Sequence, residues 1–360
     1  MLAESIADHG GGAERQARML IAHLAKSHDV CVITRKSGSA DTPRSYRLVN
    51  VRNGLGIPHL PFTILATRAL VSELHRETFD VVHIFGNYLS APLALVARLA
   101  RVPLIVQSIA GMEVARLRHP ILGMPIWCSL KFTHVIIAPN KYQSVILAHK
   151  IGNPVIHIPN GIDVVQARAS LSDSCVTFCT VSTLSKWKRV DLLIEAADLL
   201  HSDKCDFRLL IIGDGRERRR LQQMISARGL ESTVTLLGYM NHSDVLRLLG
   251  RADCYVSVSK SEGYGLSIAE AVNCGKPIIA SYYAGIEELV ENDENGLITA
   301  DPHTLAGLMK SVAENRNLLK RLSLGSVKFS RRLKTWEEVG SEYERLYSTY
   351  LDDNPQTVAP

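Results

Sequence analysis

The sequence predicts an α/β protein made of two consecutive doubly wound units, each with a parallel sheet. Three observations carry that expectation. Strand-like apolar runs alternate with amphipathic helical runs along nearly the whole chain, the pattern of parallel sheets covered by helices. The rhythm pauses over PNGIDVVQARASLSDS (159–174) and then restarts. The length, 360 residues, suits two domains at roughly 100–200 residues each.

In the first half, a short strand within MLAESIA (1–7) is followed by a helix over 13–27 and the strand DVCVIT. A helix at 64–77 leads to DVVHIF, a helix at 90–100 to PLIVQS, and a helix near 122–132 to HVIIAP. A helix over 140–150 then precedes VIHIP. The first strand is shortened at its start, since a doubly wound domain normally opens on a full buried strand. The second half restarts with VTFCTVS, a helix over 189–201, RLLIIG, a helix over 216–228 and VTLLG. A helix over 242–249, CYVSVS, a helix over 266–274, PIIAS and a helix over 303–316 complete it. The final helix, TWEEVGSEYERLYSTYL, follows a basic turn, and its pattern alone leaves open which unit it covers.

Composition narrows the class further. With 46% hydrophobic and 21% charged residues, the chain reads as an ordinary soluble globular protein. No apolar run approaches the ~18 residues that would span a bilayer, because APLALVARLARVPLIV is interrupted by Arg98 and Arg101. The acidic, Gly-rich start lacks the basic and apolar regions of a signal peptide. Seven cysteines without a CxxC pair are expected to be buried thiols in a reducing cytoplasm rather than disulfides or zinc ligands. Residues 1–165 carry 17 Lys and Arg against 10 Asp and Glu, a net +7, whereas the remainder is slightly acidic. A basic first half, with Arg116, Arg118 and His119 in one apolar loop, can meet phosphates or an anionic membrane, although an ordinary solvated surface accounts for the charge equally well.

Four motifs bear on chemistry. Gly10-Gly11-Gly12 sits between the first strand and a helix, where amides can approach an anion or where the chain simply turns tightly. Gly213 and Gly215 in IIGDGRERRR mark a similar turn. Arg218 stands where a dinucleotide fingerprint needs its third glycine, so NAD binding is not expected. The RERRR run reads as a solvated helix face. Lys188, in STLSKWKRVDLLIEA, follows a strand and precedes a helix, a position from which a cation can neutralise phosphate; Lys186 and Arg189 read as neighbouring surface charges. The most specific segment is SKSEGYGLSIAEAVNCGKP (259–277). Its Gly263–Gly265 turn offers free backbone donors at a helix start, while Glu262 and Glu270 offer bidentate acceptors for vicinal hydroxyls. Hydroxyl-binding carboxylates around a diphosphate site describe a nucleotide-sugar.

At this point the chain resembles the large retaining, nucleotide-sugar-dependent family of glycosyl transferases group 1. The resemblance rests on GGGAER, PNGID, KWKRVDLLIEA, IIGDG, VTLLGYM, the Glu262–Glu270 segment and GIEELVENDENGLI, seven motifs in family order over nearly the whole chain. It implies a GT-B fold, two Rossmann-like domains facing a cleft. These would be an acceptor-side domain at 1–165, a donor domain at 166–334 and a C-terminal helix at 335–360 crossing back to the first domain. It further implies that Glu270 holds ribose hydroxyls and Glu262 the donor sugar. The amides of Gly263, Tyr264, Gly265 and Leu266, with Lys188 and the Gly11-Gly12 turn, would hold the leaving diphosphate. Tyr239 would lie near the base.

No metal or cofactor is expected, since the sequence has neither an Asp-x-Asp motif nor a His/Cys cluster. Glu262 as a covalent nucleophile is a weaker alternative. The expected partners are a nucleotide-diphosphate-sugar and a glycan or lipid-linked acceptor, with peripheral contact to an anionic membrane from the cytoplasm and no nucleic acid. The chain departs from the family at Thr183, where an Arg is common, at Ala110, where a cleft His is common, and at Phe85, where a second His is usual beside His83. These departures motivate a second hypothesis, a non-catalytic nucleotide-sugar-binding relative or partner subunit. A third, a sugar 2-epimerase, would want a set of His and acids that the sequence lacks.

Overall fold

The computed structural model describes residues 1–6, 11–36, 46–51, 60–86, 90–111, 114, 116–117, 119–165 and 175–353. Gly10, Arg118 and residues 166–174 of the pause in the rhythm lie outside them. The chain forms two compact units, Met1–Gly161 with Lys334–Pro360, and Ile162–Leu333.

The first unit is a seven-stranded parallel sheet of order β3-β2-β1-β4-β5-β6-β7. Its strands are β1 (Leu2–Ser5), β2 (Cys31–Lys36), β3 (Arg47–Asn50), β4 (Val81–Phe85), β5 (Leu104–Ser108), β6 (Val135–Ala138) and β7 (Val155–His157). The central strands are apolar on both faces, and all five residues of β5 are buried, because helices cover both sides of a parallel sheet. On one face lie α1 (Gly12–Leu24) and the final helix, α12 (Trp336–Asp352). The other face carries α2 (Leu60–Arg76), α3 (Ala91–Leu99), α4 (Pro120–Lys131) and α5 (Lys141–Ile151), as right-handed crossovers require.

The final helix therefore belongs to the first unit. Thr335 and Glu338 form a capping box at its start. Val339 and Tyr343 join the core of α1, β5 and β6. The turn that leaves the first unit passes beneath it: a Cβ on Gly161 would fall 2.6 Å from the Trp336 backbone, so only glycine fits there. His83, on β4, is 1% exposed and lies against this helix. Its Nδ1 meets the Tyr347 hydroxyl at 2.6 Å and its Nε2 the Ser108 Oγ at 2.8 Å, with Phe85 stacked at 4.2 Å. Ser108 Oγ in turn reaches the Tyr343 hydroxyl, which also accepts from Gln16. His83 is thus a packed strand residue, and burial holds its pKa well below the ordinary value.

The second unit is a six-stranded parallel sheet of order β10-β9-β8-β11-β12-β13. Its strands are β8 (Val176–Val181), β9 (Phe207–Ile212), β10 (Val234–Gly238), β11 (Cys254–Ser257), β12 (Ile278–Ser281) and β13 (Gly296–Thr299). One face carries α6 (Val190–Ser202), α7 (Arg218–Ala227) and α10 (Leu305–Glu314). The other carries α8 (His242–Arg251) and α9 (Leu266–Asn273), and α11 (Arg316–Ser330) bridges the two, with Leu319 and Leu322 in the first core and Phe329 in the second. All seven cysteines are free thiols, four of them buried.

Candidate active site

In a doubly wound sheet, ligands bind beyond the carboxyl ends of the strands, where the strand order reverses. The second sheet reverses between β8 and β11, and the loops leaving these strands carry Lys188 and Glu262. They meet there: Lys188 Nζ donates to Glu262 Oε1 at 2.5 Å, and both side chains are largely but not fully enclosed. The two loops are stitched on either side of this pair. Trp187 Nε1 donates to the Ser261 carbonyl at 3.1 Å, Lys260 N to the Trp187 carbonyl, and Arg189 Nε to the Val258 carbonyl at 2.9 Å. Arg189 adopts a left-handed conformation (φ 49°) that turns its side chain inward. Burial lowers its guanidinium pKa, against the charge of Asp191. Arg189 is therefore half-buried and tied to the loop after β11, rather than the freely solvated charge its sequence context suggests.

Glu262 is followed by the turn that starts α9. Gly265, at φ 89°, is its N-cap, and a Cβ there would sit 2.9 Å from the Tyr283 hydroxyl. The turn thus needs glycine both for its backbone and for the approach of Tyr283. Tyr264 and Tyr283 are buried, at 8% and 5% exposure, which makes the turn rigid. Tyr255 supports the first turn of α9: its hydroxyl donates to the Val181 carbonyl at 3.2 Å and bonds the Ser267 hydroxyl at 2.9 Å. The amides at the helix start are the donor-rich end of an eight-residue helix, suited to an anion.

Glu270 lies one turn further along α9 and is 7% exposed. His242, the first residue of α8, stands beside it, with Nδ1 3.8 Å from Glu270 Oε1 and Nε2 3.0 Å from Asp163 Oδ2. Asn273 Nδ2 holds the Asp163 carbonyl at 2.8 Å. At the neighbouring strand ends, Gly213 and Gly215 pack on the loop after β8; added Cβ atoms would lie 2.0 Å from the Ser182 carbonyl oxygen and 2.3 Å from that of Leu184. These glycines let two loops touch, a structural duty that the sequence did not separate from ligand binding. Gly238 N–H and carbonyl groups continue this edge, its carbonyl accepting from Gly213 N, and Tyr239 beyond it is 48% exposed. The RERRR run is not a uniform solvated face. Arg220 pairs with Asp191 and Glu217, and Arg218 folds over Gly238.

Lys188, Tyr239, Glu262, Gly263, Tyr264, Gly265, Leu266 and Glu270 thus share the carboxyl edge of one sheet. Gly11 and Gly12 belong to the first unit, at the start of α1 beyond β1, which borders that sheet's own reversal. Gly11 has φ −76°, so this turn does not itself demand glycine. Thr183 is exposed in the loop after β8, and Ala110 follows β5 in the first unit. Sequence reasoning missed Asp163, Trp187, Arg189 and His242. Trp187 and Arg189 flank Lys188 in the chain, whereas the approach of Asp163 and His242 to Glu270 is purely tertiary. Among the described residues, no group of three or more His, Cys, Asp or Glu is placed to hold a metal ion.

Residues 168–326 match the family model Glycosyl transferases group 1, and residues 10–166 match Glycosyltransferase Family 4. The chain is 23% identical over 320 residues to N-acetyl-alpha-D-glucosaminyl L-malate synthase of Bacillus anthracis, across 82% of this chain and 81% of that protein. It is similar in structure to Anabaena HepE in complex with UDP and glucose, with a TM-score of 0.77, 20% identity, and coverage of 97% of this chain and 98% of HepE. It also resembles sucrose-phosphate synthase of Thermosynechococcus elongatus, with a TM-score of 0.83, 19% identity, and coverage of 98% and 96%. The two parallel-sheet units have the GT-B fold.

Proposed function

We propose that this glycosyltransferase, whose residues 168–326 match the glycosyl transferases group 1 model, moves a hexosyl group from a nucleotide-diphosphate-sugar to a glycan or glycolipid acceptor, with retention and without a metal ion. The observation that carries this reading is the Lys188–Glu262 pair beside the Gly265-capped start of α9, at the reversal of the second sheet. Lys188 and the amides of Gly263, Tyr264, Gly265 and Leu266 hold the diphosphate. Glu262 binds the sugar hydroxyls, Glu270 the ribose and Tyr239 the base.

In the reaction the bond from the anomeric carbon to the diphosphate oxygen breaks. A bond to the acceptor hydroxyl forms on the same face, and the departing diphosphate takes up the acceptor's proton. Fixed cationic and amide donors stabilise the charge that develops on the leaving group. Glu262 is engaged by Lys188, which suits a hydroxyl acceptor better than a free nucleophile. Arg189 adds a second cation to the crevice in which Thr183 replaces the family's Arg.

The acceptor is taken by the first unit, in surface polysaccharide or lipopolysaccharide assembly at the cytoplasmic face of a membrane. Support for membrane contact comes from α3, α4 and α5, which contain no acidic residue and expose Leu95, Leu99, Met124, Trp127 and Val145 beside Arg98 and Lys131. No described helix is long and apolar enough to cross a membrane. Release of nucleoside diphosphate from a panel of UDP-, GDP- and ADP-sugars tests the activity: turnover with one donor, abolished in Glu270→Ala, is expected, and unchanged turnover in that variant contradicts the site.

A further inference from the structure

We infer that His242 is a positioning residue for the nucleotide: anchored by Asp163, it holds the Glu270 carboxylate in the orientation that accepts the two ribose hydroxyls. The inference rests on the reading of Glu270 as the ribose acceptor and adds the residues that aim it.

Glu270 is 7% exposed, so its carboxylate is not free to sample solvent and must be oriented by what touches it. The imidazole of His242 lies beside it, with its Nδ1 edge 3.8 Å from Oε1. The opposite edge of the ring is fixed, since Nε2 donates to Asp163 Oδ2 at 3.0 Å. Asp163 is itself pinned to the helix that carries Glu270, because Asn273 Nδ2 donates to its carbonyl at 2.8 Å, one turn beyond Glu270. The result is a closed circuit, Asp163–His242–Glu270–Asn273, joining the first residues of the second unit to the start of α8 and the second half of α9. Asn241 caps α8 by accepting from Asp244 N at 2.9 Å, which fixes the backbone from which His242 projects.

A ring held on one edge and facing a ligand-binding carboxylate on the other is the arrangement by which outer groups orient a binding group. A bidentate diol complex needs both carboxylate oxygens in one plane. Without the ring, Glu270 loses the wall that fixes that plane, and the helix is untouched. A purely structural role for His242 would instead run through Asp163 and the start of α8.

The two roles separate in a ligand-and-residue cycle. The tightest binder among UDP, GDP and ADP is titrated against wild type and variants, beside its 2′,3′-dideoxy analogue and inorganic pyrophosphate. Wild type is expected to prefer the ribose form at least about tenfold, the loss expected for one hydrogen bond to a charged group. In His242→Gln the amide still reaches Asp163 but presents no ring edge to Glu270. The preference should fall to roughly twofold, with pyrophosphate affinity and melting temperature unchanged. Asp163→Asn, which weakens the anchor of the ring, should lower the preference in the same direction. A tenfold preference retained in His242→Gln overturns the inference and leaves Glu270 as the ribose acceptor. A wild type that does not discriminate against the dideoxy analogue overturns the reading of Glu270 and the inference together. If His242→Gln melts early, the Asp163→Asn ratio decides by the same two outcomes.

Discussion

Lys188 and Glu262 come from loops 74 residues apart in the chain and meet at 2.5 Å. Removing the cation should cost far more in turnover than in folding, because its proposed partner is charge that develops on the departing diphosphate. Lys188→Ala is expected to lower kcat by roughly 10²–10³, as loss of one preorganised donor does, with the melting temperature nearly unchanged. Steady-state kinetics beside a thermal melt check this. Gly265→Ala should act differently. A side chain at φ 89° with the Tyr283 hydroxyl 2.9 Å away displaces the turn, so stability should fall by about 1–3 kcal/mol and nucleotide binding with it. Denaturant melts and a titration of the same preparation read both losses. The sequence showed why residues of these types would gather, because acids, glycines and a lysine have few shared explanations. It could not show that Arg189 turns inward, since a left-handed non-glycine residue has no pattern of its own.

The elements that carry the candidate site are held by elements that do not. Most strands and helices were legible because parallel strands buried on both faces read as continuous apolar runs. Three elements were not. β3 is a mostly exposed edge strand, RLVN, with little apolar signal. β13 opens on glycine in GLIT, and α11 is polar on average, its apolar positions spread among Lys, Arg and Ser. The placement of α12 was equally hidden in its local pattern, because it is decided by the buried chain His83–Ser108–Tyr343 and by the fit of Gly161 under Trp336.

That chain carries a pH prediction. His83 is buried as the neutral ring, with its folded pKa depressed by desolvation and by the amino terminus. The unfolded chain takes up a proton near pH 6.5 that the folded one refuses. The contribution is therefore complete above about pH 6.5 and is lost as pH falls through the depressed folded value. The first unit should destabilise as pH falls below about 6.5, and His83→Gln should flatten that slope; an unchanged slope would contradict the account. Tyr343→Ala should destabilise the same unit by about 3–5 kcal/mol, the cost of deleting a large buried aromatic. A melt that resolves the two units would show this loss in the first alone.

At the scale of the whole molecule, the basic excess lies in the first half of the chain and most of the donor-site candidates in the second unit. The +7 first half places basic and apolar side chains together on α3 and α4. The second unit gathers the donor-site candidates at one sheet edge. Sedimentation with anionic liposomes should retain the protein at low salt and release it at high salt, as screening over about 10 Å at 0.1 M requires. Binding that ignores salt, or no binding, would remove the membrane surface from the account.

The donor site can be tested without knowing the acceptor. Thermal unfolding of wild type and Glu270→Ala, each with UDP, GDP or ADP near 100 times the wild-type Kd, reads the central claim most directly. One nucleotide should stabilise the wild type by about 2.7 kcal/mol and the variant, weakened at least about tenfold, by about 1.4 kcal/mol or less. Equal stabilisation of both proteins, or none of the wild type by any of the three, would contradict the assignment of this edge as a nucleotide-sugar site.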